Sequence, residues 1–171
     1  MANTKGAVTM DLRLNFKAYH KMYAFCQAAK GEVSAWGKTE IKGDTVRVLD
    51  VKLIEQDATV GTVDLKLDGL ADFMYDLAIS YPKDYTKWNF WFHTHTNFSV
   101  FWSGTDEANI QSHSQKMPLV SLVMNKQGDM LARIDLGGKR KNFDRIVVLP
   151  TGRAKLSGQY KRQVKRMVEH A

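Results

Sequence analysis

The chain has 171 residues, 44% of them hydrophobic and 25% charged, which fits one globular domain around one core and excludes a disordered or fibrous protein. Its one cysteine, Cys26, rules out an intramolecular disulfide, a four-cysteine zinc site and a Cys-x-x-Cys redox pair. The formal net charge is +7, yet residues 138–171 hold ten Lys or Arg against Asp144 and Glu169, while residues 1–137 carry 15 basic against 16 acidic; the basicity belongs to a C-terminal extension of an otherwise neutral body.

Met1 to Met10 has no apolar run of the kind a signal peptide needs, and no stretch approaches the roughly 18 uninterrupted apolar residues of a membrane span. The expectation is a soluble, cytoplasmic protein with no membrane association. Leu12, Leu14 and Phe16 alternate with Arg13 and Asn15, predicting a short half-buried strand. From Lys17 to Lys30 the residues Tyr19, Met22, Tyr23, Cys26 and Ala29 recur at helical spacing, with Gly31 placed to stop the helix. Cys26 lies on that stripe and reads as a packing residue rather than a nucleophile.

Glu32 to Ile41 and Val46 to Ile54 read as two strands joined by a Gly43-Asp44 turn. Asp68 to Ser80 carries a helical stripe of Leu70, Phe73, Met74, Leu77 and Ala78, closed by Tyr81-Pro82. Trp88 to Phe92 is an aromatic run too short for a helix and suited to a buried central strand. Thr105 to about Gln115 reads as a helix, with Thr105 available as N-cap and Asp106 and Glu107 in its first turn. Strands at Leu119 to Met124 and Met130 to Leu136 flank the turn-rich Asn125 to Asp129, and Ile146 to Leu149 is a last strand before Pro150. Ser157 to His170 places Tyr160, Val164, Met167 and Val168 on one helical face, with Lys161, Arg162, Lys165 and Arg166 on the others. Helices interleaved with hairpin-like strands predict an α/β fold, a mixed sheet flanked by helices.

The chemistry concentrates in His93-Thr-His95, then seven residues, then Ser103-Gly-Thr-Asp106. Two histidines two apart at a strand end point to the same side, so both imidazoles reach one ion. Zinc takes nitrogen and oxygen ligands in tetrahedral geometry, and three protein ligands with an open fourth position make a catalytic site. Asp106, in the first turn of the following helix, can supply the third ligand if the loop from Thr96 to Trp102 folds back. Taken alone, Ser103-Gly-Thr-Asp106 also reads as a capping box that needs no metal, and the histidines alone as hydrogen-bonded or surface residues. His20, His113 and His170 read as surface residues, with a role for His113 behind the ligands as an alternative.

A glutamate on an early strand followed by H-x-H-x7-S-x2-D is the signature of the JAMM/MPN-plus (JAB domain) metalloproteases, and this chain resembles that family at His93, His95, Ser103 and Asp106. Asn89 to His95 is similar to the aromatic strand that leads into the family's histidines, and Glu32-Val-Ser-Ala-Trp-Gly37 to its glutamate strand; Glu40 and Glu55 do not directly follow the first helix. Family members commonly have Pro after the second histidine, where this chain has Thr96-Asn97. The resemblance implies a three-layer α/β domain of the MPN/JAB type, similar to the cytidine deaminases, carrying one Zn2+ on His93, His95 and Asp106. It also implies Glu32 as general base and Ser103 as oxyanion donor. The implied activity is hydrolysis of a peptide or isopeptide bond in a protein or peptide substrate, ubiquitin-like proteins among them. Phe101 and Trp102, next to Ser103, are candidates for a substrate wall, with local packing as the alternative. The deaminase signature H-x-E with P-C-x-x-C and the H-E-x-x-H zincin motif are both absent. A non-catalytic MPN-type binding module, or a nucleic-acid adaptor using residues 138–171, is the rival reading.

Overall fold

A computed structural model describes residues 9–58, 63–65, 67–150 and 158–170. The first strand, β1 (Asp11–Leu14), stops before Phe16, which opens α1 (Phe16–Ala28); the alternation expected to run through Phe16 is cut by Asn15, whose N–H donates to the Val48 carbonyl at 3.0 Å. The helix ends at Ala28 rather than Lys30, since Ala29 is already extended, so Gly31 is not its cap. The apolar stripe is borne out at Met22, Cys26 and Ala29, which are buried, while Tyr19 and Tyr23 pack partly buried against the same core.

The hairpin of β2 (Ser34–Lys42) and β3 (Thr45–Leu53) turns at Gly43, whose φ of 56° favours glycine. It is followed by β4 (Gln56–Ala58), β5 (Val63–Leu65) and α2 (Leu67–Ser80). The central strand β6 (Phe90–Thr94) starts after Trp88 and extends through His93. The crossover helix α3 (Gly104–His113) then leads to β7 (Leu119–Met124) and β8 (Met130–Leu136). The chain continues through β9 (Lys139–Asn142), β10 (Arg145–Val148), α4 (Gly158–Met167) and β11 (Val168–His170). Strands β4, β9 and β11 carry no alternation legible in the sequence, and β5 begins the alternating run Val63-Asp-Leu-Lys-Leu67, outside the expected strands; β11 occupies the end of the segment expected to be helical throughout.

Eight strands form one mixed sheet in the order β10-β1-β3-β2-β6-β7-β8-β9, and β11-β4-β5 form a second, small one. Strand β2 runs antiparallel to both β3 and β6, whereas β6 and β7 are parallel and joined through α3. Gly37 sits opposite Phe90, and a Cβ there would fall 2.6 Å from the Phe90 ring and 2.9 Å from the Asp50 carbonyl oxygen; only glycine admits that approach.

Alternation along β6 divides the core. Phe90 and Phe92 join α1 residues Met22 and Phe25 and α4 residue Val164 in one buried cluster, while Trp91 joins Trp36, Leu77 of α2 and Ile110 of α3 in another. Successive strand side chains point to opposite faces, so at β6 one face of the sheet meets α1 and α4 and the other meets α2 and α3. No helix among the described residues is long and apolar enough to cross a membrane.

Candidate metal centre

Parity places the histidines on the face that carries Trp91. The His93 ring stacks on Trp91 at 4.6 Å between centroids, and His95, two residues on, lies 5.2 Å from the His93 ring. Because β6 and β7 are parallel, α3 begins at the same end of the sheet where β6 finishes, the end at which open α/β sheets bind ligands. Asp106 of that first turn faces both imidazoles, with Oδ1 3.3 Å from His93 Nε2 and Oδ2 3.8 Å from His95 Nε2. The three ligand atoms lie within 4.8 Å of one another.

Ser103, not Thr105, is the N-cap of α3. Its hydroxyl accepts from the Asp106 N–H at 3.2 Å and donates to Asp106 Oδ2 at 2.7 Å, while its own N–H donates to the same oxygen at 2.7 Å. The capping box and the candidate ligand are therefore one device: Oδ2 is held by Ser103, and Oδ1 is left toward His93. With its proton given to Oδ2, the Ser103 hydroxyl is not free to donate elsewhere in this arrangement.

Glu32 arrives by strand register. Ser34 pairs with His93 in the antiparallel β2–β6 ladder, and the Thr94 N–H donates to the Val33 carbonyl at 3.0 Å, so one step further Glu32 comes level with His95. The residue is 8% exposed. Burial pushes its pKa up to about 7; His95 opposes the rise and Asp106 adds to it. Glu40, by contrast, sits in the far half of β2 with Lys42 at 3.2 Å, and Glu55 is exposed.

The electrostatics favour a cation at the centre of this group. His93 is 0% exposed; its Nδ1 has no hydrogen-bond partner, and its Nε2 faces only Asp106 Oδ1, 3.3 Å away and outside good hydrogen-bond geometry, a costly state for buried polar atoms. Burial drives its pKa down, and the nearby Asp106 offsets that only in part. On His95, Nδ1 lies 3.0 Å from the Ser99 carbonyl; a carbonyl can only accept, so Nδ1 carries a proton, and in the neutral ring Nε2 is the nitrogen that keeps the lone pair. Burial lowers the His95 pKa, but Asp106, the Ser99 carbonyl and Glu32 together hold it above the ordinary value. Burial would raise the Asp106 carboxyl, but the two imidazoles and the Ser103 hydroxyl outweigh it and hold that group far below the usual carboxylate range. The Nε2 atoms of both imidazoles thus converge on the Asp106 carboxylate. Zinc ligands at about 2.0 to 2.1 Å in a tetrahedron stand about 3.3 Å apart, close to the spacing between His93 and Asp106, and the donor set of two imidazoles and a carboxylate suits that ion.

The loop from Thr96 to Trp102 folds back as the ligand set requires. Thr96 takes φ 21°, in the left-handed region that a β-branched residue rarely enters, and its carbonyl accepts from the Lys126 N–H at 2.8 Å. Asn125 donates to the Phe98 carbonyl at 3.1 Å, fastening the loop to the β7–β8 turn. Phe101 is 50% exposed with its ring 4.6 Å from His95. Trp102 is half-buried, 5.9 Å from the His93 ring on one side and with the Arg133 guanidinium 4.8 Å from its ring. His113 makes no contact with the ligands; it packs against the Trp36 ring at 5.4 Å. His20, expected at the surface, is half-buried, stacked on Phe16 and edge-on to Tyr160. His170's side chain lies outside the described residues.

Two contributors escape a reading of the sequence. Arg133 is 1% exposed and grips Glu107 with two bonds of 2.7 and 2.8 Å while donating to Asp135 at 2.9 Å, so it ties the first turn of α3 to β8. Arg133 and Asp135 share one strand face, a pattern that ordinarily marks solvent; only the cover of α3 buries it. Ser99 acts through its backbone, for which a sequence gives no signal.

No protein-family model matches the chain, and no curated protein matches it. Among solved structures it is similar to the solution structure of protein DSY2949 from Desulfitobacterium hafniense, with a TM-score of 0.59 and 15% identity over 82% of this chain and 94% of that one. At that identity the likeness shows the fold alone.

Proposed function

We propose that the protein is a zinc-dependent hydrolase of a peptide or isopeptide bond, of the JAMM/MPN-plus type, with the three-layer arrangement of that family. The observation that carries the reading is the convergence of the His93 and His95 imidazoles and the Asp106 carboxylate in one buried group, with the Glu32 carboxylate beside them. A bound zinc would supply a Lewis acid that acidifies water and polarises the scissile carbonyl.

The residues of the chain do the rest. The carboxylate of Glu32, shifted toward neutrality by burial, takes the proton of the attacking water and returns it to the leaving amine. His95 is held in the tautomer that leaves Nε2 open, because Ser99 accepts from Nδ1. Ser103 fixes Asp106 in the resting state, and donation to a developing oxyanion requires its hydroxyl to leave Asp106 Oδ2. Phe101, exposed over His95, offers an apolar wall for an extended protein or peptide substrate. Thr96 stands where the family commonly has Pro, and its φ of 21° is one that proline cannot adopt.

Elemental analysis of purified wild-type protein should give one zinc per chain, with His95→Ala and Asp106→Ala losing it; retention in both variants at the wild-type level overturns the ligand set. A cleavage screen over peptide libraries and ubiquitin-like fusions should find turnover that Glu32→Gln abolishes while keeping its zinc. Zinc without turnover on any of these substrates would favour a non-catalytic binding module.

A further inference from the structure

We infer that the outer face of α4 docks on the phosphate backbone of duplex nucleic acid. Lys161, Arg162, Lys165 and Arg166 are all exposed and stand one helical turn apart in two pairs, so they form a single face. Among the described residues none of the four makes an ion pair, whereas Lys21, Lys38, Lys87, Arg133, Arg140 and Arg145 each have a carboxylate partner. No acidic residue occurs in α4 or in α1, the helix beside it, where Tyr160 lies edge-on to His20 and Phe25. Lys161 with Lys165 and Arg162 with Arg166 are therefore like-charge pairs at i,i+4, mutually destabilising in the free protein. A polyanion relieves both.

The rest of the helix says which polyanion. The apolar side of α4 is already used, with Val164 buried and Tyr160 and Met167 packed against the core. None of the exposed large hydrophobic side chains belongs to α1 or α4. Without an apolar wedge the face is ill suited to a bilayer, and without an exposed ring it has nothing on which unpaired bases can stack. What remains is a row of cations complementary in charge to the phosphates of a duplex, with an acidic protein surface as the rival that polyglutamate tests. The surface is also independent of the metal centre, because Val164 packs with Phe90 and Phe92, on the face of β6 opposite His93 and His95.

Fluorescence anisotropy of the full chain with a short duplex of arbitrary sequence tests this. Binding should weaken steeply with salt. Replacing Lys161, Arg162, Lys165 and Arg166 by Ala should cut affinity at low salt by more than about tenfold and flatten the slope of log Kobs against log salt by about 3 to 4. Alanine is the best helix former, so α4 should persist, checked by circular dichroism. Glu32→Gln should bind the duplex as wild type does, separating this surface from the proposed hydrolase site. An unchanged slope in the alanine variant, or tighter binding to single strands, to polyglutamate or to phosphatidylserine vesicles than to the duplex, would overturn the inference.

Discussion

His93 is the residue on which the metal reading turns, because a fully buried imidazole whose Nε2 faces only a carboxylate oxygen at 3.3 Å is costly to leave without a better partner. Glu32 gives a second, titratable handle. Its carboxyl ordinarily ionises near 4.5 and in the folded protein near 7. Below the lower value it is protonated in both states and costs nothing; between the two the unfolded chain gives up its proton first, so stability falls as pH rises, and above the upper value the loss is complete. In the metal-free protein Glu32→Gln should therefore match wild type near pH 4 and exceed it near pH 8, by up to about 3 kcal/mol at about 1.4 kcal/mol per pKa unit. Urea titrations at the two pH values check this, and an equal difference at both would remove the buried carboxylate as its cause. Phe101 and Trp102 should separate in the same manner. Trp102→Ala empties a space between His93 and Arg133 and should cost about 2 kcal/mol or more, seen as a lower Tm. Phe101→Ala should leave stability within about 0.5 kcal/mol of wild type and raise KM on any substrate found.

The N-terminus of α3 joins structure and chemistry in one turn. Ser103→Ala removes the side-chain cap, costing about 1 kcal/mol, and withdraws the hydroxyl from Asp106 Oδ2, which should weaken zinc roughly 10- to 100-fold as other supporting contacts do. Competition with a chromophoric chelator measures that loss; unchanged affinity would mean that the Ser103 N–H alone orients the ligand. Strand β2 is the other critical element, since its register brings Glu32 level with His95. Gly37→Ala forces a methyl into the Phe90 ring and the Asp50 carbonyl, and overpacking of that kind costs about 1 to 3 kcal/mol, measurable as a shifted denaturation midpoint.

Across the whole molecule the proposed ligands sit on β6, on the residue just past its end and on α3, elements that contribute to one buried cluster through Trp91 and Ile110. A metal bound to the native state and not to the unfolded chain stabilises it by about 4 kcal/mol at a free concentration a thousand times its Kd. EDTA should therefore lower the Tm of wild type and leave that of His95→Ala unmoved; an equal response in both would place the chelator's effect elsewhere.

Much of this was legible in the residues. Helical stripes marked α1 and α2, the turn-rich Asn125 to Asp129 bounded β7 and β8 to the residue, and the spacing of His93, His95 and Asp106 predicted a group that the fold does bring together, because period-two alternation and a strand-to-helix crossover are local rules. The outcome at α3 was different: the motif offered both a capping box and a ligand as alternative readings, and the geometry makes Asp106 serve in the cap while facing both imidazoles. What the tertiary structure alone decided depends on partners distant in the chain. Arg133 became a buried clamp because α3 covers it, Trp102 a half-buried plate because Arg133 lies against its ring, and β9 an edge strand whose exposed Lys139, Arg140 and Lys141 discourage further pairing. A local pattern fixes which way a side chain points along its own element; what it meets there is set by the packing of the others.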